Sequence, residues 1–286
     1  MTNVEEKKEE WNIILTPKRA LLDIPIREII EYRDLIFLFI KRDFVVRYKQ
    51  TILGPIWYLI SPLISTIVYA FVFGRLAKLE TNGIPYILFY YMGTMLWGFF
   101  ADCFKDASNL FVDNVHLFDK VYFPRLVVPI SNIAGSAMKL LMQLVCLIGF
   151  YIYYVYIGES IRPTWVCFLF PLILLQIALL ANGMGMIISS ITTKYRDLRI
   201  LVDFVFGLSM YATAVVYPIS QIPQNYSWLS YINPVNAPLE LCRIAFFGSG
   251  SVAIGSIISS IGQTVFFLVL GLVMFHQNER NFIDVI

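Results

Sequence analysis

The chain has 286 residues, of which 58% are hydrophobic and only 15% charged, with a net charge of +2. A soluble domain carries about 25% charged residues, so an ordinary water-facing surface is excluded, as is the basic excess of a nucleic-acid binding face. The four cysteines are scattered through apolar runs with no CxxC or Cys/His spacing, so neither a zinc site nor any other metal or cofactor is expected.

Residues 28–49 place the hexad LIFLFI (35–40) between charge clusters. Six apolar residues cannot span a bilayer, so residues 1–50 are expected to form a cytoplasmic tail and a helix lying along the inner surface, basic side toward anionic lipid. A simple topogenic tail is the alternative. Next comes the apolar run TILGPIWYLISPLISTIVYAFVFGR (51–75), long enough for a helix that needs about 20 residues to cross the hydrocarbon core. Five more runs follow, giving six expected spans at 55–77, 83–104, 132–157, 165–190, 200–218 and 252–275. The fold class is therefore an all-α membrane protein, with residues 51–286 as one transmembrane domain.

With both termini cytoplasmic, 17 Lys and Arg fall inside and four outside, and Lys139 lies within the third span. This bias sets the orientation. The inner connection KDASNLFVDNVHLFDKVYFPR (105–125) could form a helix from Asn109 to Lys120, with Leu110, Val115 and Phe118 apolar, before Pro124 ends the run. It reads either as a docking surface for a soluble partner or as a helix folded back on its own bundle. The outer connection 219–250 is long, apolar and broken by Pro223, Pro234 and Pro238. It is expected to re-enter the outer leaflet, with a helix starting at Pro238, and its non-helical backbone must be buried in protein or line a wet cavity.

No GxxxxGKS/T loop occurs, so the chain has no nucleotide-hydrolysing site of that kind. His116 and His276 stand in different segments, and no HExxH, GxSxG or paired carboxylates in a span appear. No catalytic residue is expected. Lys139 either snorkels to the inner interface or faces a conduit for an anionic head group. Asp203 follows Arg199 by four residues, which suits an ion pair along one helix face. Ala181, Gly185 and Ser189 form a small-residue ridge, repeated by Gly255 and Ser259, that lets another helix approach closely. Aromatics crowd the second span (Tyr86, Phe89, Tyr90, Tyr91, Trp97) and close the first (Tyr69, Phe71, Phe73) and fifth (Tyr211, Tyr217). Two readings fit them: interfacial belts, or a wall on which sugar C–H faces stack while phenol hydroxyls hydrogen-bond.

RDFVVRYKQTILGPIWYLISPL (42–63) and FVFGRLA (71–77) resemble the opening of type 2 ABC exporter permeases, closest to those exporting lipid-linked polysaccharide. KVYFPRLVVP (120–129), YRDL (195–198), YINPVNAPLELCR (231–243) and ERNFIDVI (279–286) fit the same family in order. The resemblance implies a homodimer bound to two copies of a separate ATPase subunit, with no enzymatic activity in this chain. It implies a polyprenyl-diphosphate-linked glycan as substrate, moved from the cytoplasmic to the outer face of the bacterial inner membrane. The ending ERNFIDVI favours O-antigen over teichoic acid or capsule.

On that basis Arg42, Arg47 and Lys49 are expected to attract the diphosphate head group. Tyr69, Phe73, Tyr86, Tyr90, Tyr91, Trp97, Tyr211 and Tyr217 are expected to line the glycan conduit. Asn109, Val115, Phe118, Lys120, Tyr122, Phe123 and Arg125 are expected to couple to the ATPase. Asn233, Pro234, Glu240 and Arg243 are expected at the outer gate. An ion-coupled carrier of small solutes and a polyprenyl-phosphate transferase are the readings from other classes. The first lacks a buried carboxylate relay, and the second lacks a carboxylate cluster at the membrane face.

Overall fold

The computed structural model describes residues 26–49, 53–114, 123–192 and 197–285, with side chains for all of these except 26–28, 47, 48 and 279–285. All regular structure among the described residues is helical. Two helices precede the first span, α1 (Ile26–Glu31) and α2 (Arg33–Tyr48). Phe39 turns inward on α2, while Phe37, Leu38, Val45 and Val46 stay exposed.

The first span covers Gly54–Leu76. Pro55 sits in its opening 3-10 turn, where the missing N–H has no helical partner to lose. The span continues as α3 (Trp57–Tyr69) and ends in a π-helical stretch, Ala70–Leu76, a rare geometry. Gly74 in that stretch lies so near Tyr86 that a Cβ would sit 2.9 Å from the ring.

α4 (Tyr86–Ser108) is the central helix. Leu88, Phe89, Tyr90, Tyr91 and Met92 are buried in succession, so the helix is enclosed all round, as expected for one surrounded by others. It packs against α3, α6 (Val127–Ile157) and α7 (Phe170–Thr192). The short α5 (Leu110–Asp113) follows α4 directly. Of the helix expected from Asn109 to Lys120, only this turn falls on described residues.

The remaining helices are α8 (Leu198–Ser209), α9 (Leu229–Ile232), α10 (Asn236–Phe247) and α11 (Ile254–Val285). Among the described residues five helices are long and apolar enough to cross a membrane. The expected fifth span, 200–218, differs: α8 has 12 residues, a rise of about 18 Å, and residues 210–217 run on as turns.

Small residues fix the helix packing. α7 and α11 share the most extensive contact in the bundle. At their crossing, a Cβ on Gly183 would lie 2.6 Å from the Leu268 backbone nitrogen, and one on Gly271 would overlap the Gly183 carbonyl. Gly185, on the ridge expected from sequence, faces α4 instead, where a Cβ would fall 2.5 Å from that of Ala107. In α11, Gly255 lies beneath the Tyr231 ring, and Ser259 Oγ donates to the Tyr231 carbonyl at 2.9 Å. α10 ends at Gly248 with φ +70, where a Cβ would also meet the Arg162 carbonyl at 2.6 Å.

Candidate conduit wall and outer gate

A groove of about 360 Å³ opens between α3, α4, α6 and the end of α8. Trp57, Tyr58, Tyr69 and Trp97 give it aromatic walls, and Ser61, Ser65 and Thr94 supply hydroxyls. Lys139 and Gln143 reach it from α6. Lys139 Nζ is held by Asp102 Oδ2 at 2.6 Å and lies 5.2 Å from the Tyr58 ring centre. The cation that looked free in the sequence is therefore paired across two helices. Gln143 Nε2 donates to the Tyr58 carbonyl at 2.9 Å, which supplies a partner near the irregular start of the first span.

The expected conduit aromatics divide into two groups. Tyr90 and Tyr91 are fully enclosed by the chain's own helices, and Tyr91 Oη donates to the Gln143 carbonyl at 3.1 Å. Their rings pack the core of the chain, because α4 is central and not peripheral. Trp97 is nearly buried but edges into the groove. Tyr69 is half-buried, its Oη 3.7 Å from Met210 Sδ, and its ring meets Phe73 and Tyr90 edge-on. Phe73 and Tyr217 are half-buried, whereas Tyr86 and Tyr211 are exposed. Trp57, which the sequence reading did not single out, is exposed at the groove mouth. Its position four residues before Ser61 and two past Pro55 was the available signal.

A polar cavity of about 470 Å³ lies beneath α2, lined among others by Arg42, Asp43, Asp106, Asp113, Asn114 and Asn132. Arg42 Nε is bound by Asp43 Oδ1 at 2.7 Å, and its guanidinium lies 4.7 Å from the Phe39 ring centre. The remaining N–H donors of a guanidinium can still meet a phosphate. Lys49, just past the end of α2, is exposed; the Arg47 side chain lies outside the described residues. Burial raises the Asp113 carboxyl above the usual carboxylate range, and Arg199 pulls it back down. Arg199, expected to pair with Asp203, lies within electrostatic reach of Asp113.

Of the coupling residues, Phe123 is buried against Phe39 with ring centres 5.8 Å apart. Arg125 is half-buried, and Asn109 joins α4 to α5 through backbone bonds to Lys105 and Asp113. Val115, Phe118, Lys120 and Tyr122 lie outside the described residues. Around Phe39 and Phe123 gather Leu110, Phe111, Val127, Leu272 and Phe275 in one apolar cluster.

The gate residues converge at the other end. Asn236 Oδ1 accepts from the Ala214 N–H at 2.8 Å, and Asn233 Nδ2 donates to Thr213 Oγ1 at 2.9 Å. The Pro234 carbonyl accepts from Ser260 Oγ on α11. Glu240 and Arg243 are wholly buried and paired at 3.1 Å. Arg243 Nη2 donates to the Val215 carbonyl at 3.1 Å, and the guanidinium lies 3.6 Å from the Phe89 ring centre. Side chains of α10 and the turn before it thus serve backbone groups of the irregular segment 210–217, as buried non-helical backbone requires.

The chain belongs to the ABC-2 type transporter family, whose pattern it matches over residues 34–247, so the all-helical bundle is that of a membrane transporter. It is similar to an O-antigen export system permease protein RfbA from Klebsiella pneumoniae, 28% identical over 257 residues, covering 88% of this chain and 95% of that protein. A Myxococcus xanthus protein of the same name is 27% identical over 224 residues, covering 78% and 84%.

Proposed function

We propose that this chain is the membrane subunit of an ATP-driven exporter that moves a polyprenyl-diphosphate-linked glycan, most consistent with O-antigen, to the outer face of the bacterial inner membrane. It works as a homodimer with two copies of a separate ATP-binding subunit. Residues 1–50 form the tail and surface helix and residues 51–286 one transmembrane domain. Both termini are cytoplasmic. α8 with residues 210–217 makes a sixth, broken span, and 219–250 re-enters the outer leaflet.

The observation that carries this reading is the groove of Trp57, Tyr58, Tyr69 and Trp97 interleaved with serine and threonine hydroxyls. Aromatic faces with nearby hydroxyls suit sugar rings, and repeated weak contacts let a polymer pass where one tight site would hold it. The relatives named for O-antigen export supply the substrate class. Arg42, Arg47 and Lys49 draw the diphosphate to the inner surface. Exposed Tyr86 and Tyr211, with Tyr69, Phe73 and Tyr217 behind them, extend the wall outward. Phe123, Arg125 and the loop before them receive the ATPase stroke, and Asn233, Pro234, Glu240 and Arg243 form the gate.

Deleting the gene and scoring surface glycan together with polyprenyl-linked glycan inside the cell tests the reading. Loss outside with accumulation inside is expected, and the composition of the trapped glycan identifies the substrate. Loss of both would point to a synthetic role and refute export.

A further inference from the structure

Tyr90, Glu240 and Arg243 are wholly enclosed at the outer end, each with 0% exposure. Arg243 commits Nη1 to Glu240 Oε2, Nη2 to the Val215 carbonyl and its flat face to Phe89. Its Nε–H has no partner, and neither does Tyr90 Oη, which lies within electrostatic reach. Glu240 Oε1 lies against the backbone of Gly250 and Ser251, and the Ser251 backbone approaches the carboxylate as a donor. Two idle buried polar groups that flank one ring, Arg243 over Phe89 and Tyr90 edge-on to it, are unusual in a protein interior, where almost every buried polar group is satisfied. A static strut would have used both.

Two further features show how the arrangement can change. Both charges sit on one helix, three residues apart, so the pair travels with α10. Gly93 of α4 faces the contact: a Cβ there would lie 2.8 Å from the Val215 carbonyl and 3.2 Å from Arg243 Nη2. The missing side chain is what admits the Val215 backbone to the guanidinium.

We propose that Glu240 and Arg243 form a two-position latch on α10. In the closed position Arg243 holds segment 210–217 through Val215; in the open position its Nε–H turns to Tyr90 Oη and Val215 is released. Two discrete hydrogen-bonded arrangements give a bistable element, which packed structures use to switch. The proposal rests on reading 219–250 as the outer gate, and it gives that gate its moving contact.

The native cysteines supply the test. Cys242 is fully buried next to Arg243, and Cys103 is equally buried elsewhere on α4. A buried thiol does not react until it is exposed. The full chain, in native membranes opened to both sides, is treated with a polar maleimide, and the four cysteine peptides are followed by mass spectrometry. Glu240→Gln weakens the latch, and Gly93→Ala crowds the Val215–Arg243 contact without altering a charge. In both, Cys242 is expected to label about tenfold faster, the response to about 1.4 kcal/mol, with Cys103 unchanged. Adding Tyr90→Phe to Glu240→Gln removes the open-position partner and is expected to reverse the gain. Unchanged protection of Cys242 in both variants overturns the latch. So does labelling of Cys103 and Cys242 together, which would make the pair a support of the fold alone, and so does a Tyr90→Phe without effect. None of these readouts needs the glycan or the ATPase, so failure of the export reading would show separately in the deletion experiment.

Discussion

At the end of the bundle assigned to the cytoplasm, Phe39 of α2 and Phe123 meet edge-on, and Phe111 of α5 stacks on Phe275 of α11 with centres 5.1 Å apart. At the opposite end, Asn233, Asn236 and Arg243 hold segment 210–217 by hydrogen bonds, with Glu240 as the buried counter-charge. Apolar contacts have no preferred direction, so a cluster of rings binds α2, α5 and α11 together while tolerating small slides. Buried hydrogen bonds are directional, and losing a partner exposes the full desolvation penalty. On the proposed orientation, the end with the ring cluster suits the transmission of a displacement, and the hydrogen-bonded end suits resistance to one.

The sharpest way to break that contrast is Arg243→Ala. It leaves the Glu240 carboxylate buried and unpaired, and breaking a buried pair costs about 3–5 kcal/mol. A large fall in the amount of folded chain, read by size-exclusion and thermal unfolding in detergent, is expected; a native-like transition would show that the outer end does not depend on the pair. Asn236→Ala comes next. It strips the acceptor from the buried Ala214 N–H, a loss of about 1–3 kcal/mol, and should lower the unfolding midpoint without abolishing assembly.

The cytoplasmic end should be more forgiving of an equally modest change. Phe39→Leu keeps an apolar side chain but removes three ring carbons, a large-to-small change that costs about 1–2 kcal/mol. The chain should assemble normally, while the edge contact with Phe123 is lost and ATP hydrolysis by the partner becomes less well coupled to export. Wild-type glycan output per ATP hydrolysed would remove Phe39 from the coupling path.

The difference between the two ends also explains what could be read before the structure. The five clear spans rest on long apolar runs, signals local in the chain. The fifth span was read as a full helix because hydropathy cannot see that Asn233, Asn236 and Arg243, 20 to 28 positions from their partners, satisfy an irregular backbone at 210–217. Lys139 looked like an isolated cation because Asp102 is 37 positions distant. Tyr90 and Tyr91 matched a conduit by residue type, but which helix occupies the centre of a bundle depends on packing such as Gly183 against Gly271, for which each glycine alone is a weak sign. Arg199 paired with Asp203 on helical spacing alone, and the nearby Asp113 lies in another element.

The smallest structural effect, and the one that separates charge from packing, is expected from Arg47→Ala combined with Lys49→Ala. Lys49 is exposed at the end of α2 and supports no core, so folded amount and unfolding midpoint should not change. Its attraction for a diphosphate acts through water, where the Debye length at physiological salt is about 8 Å, and each cation near an anionic surface contributes about 1 kcal/mol. Binding of the full complex to vesicles carrying a polyprenyl diphosphate should therefore weaken roughly tenfold or more in the double variant and lose most of its dependence on salt. The buried outer pair, shielded from solvent, should leave Cys242 protection indifferent to the same salt range. Salt-dependent binding that survives the double substitution would assign head-group capture to other cations. Salt-sensitive protection of Cys242 would mean that the outer pair is not sealed from water, and the contrast between a wet basic inner surface and a dry outer latch would fail.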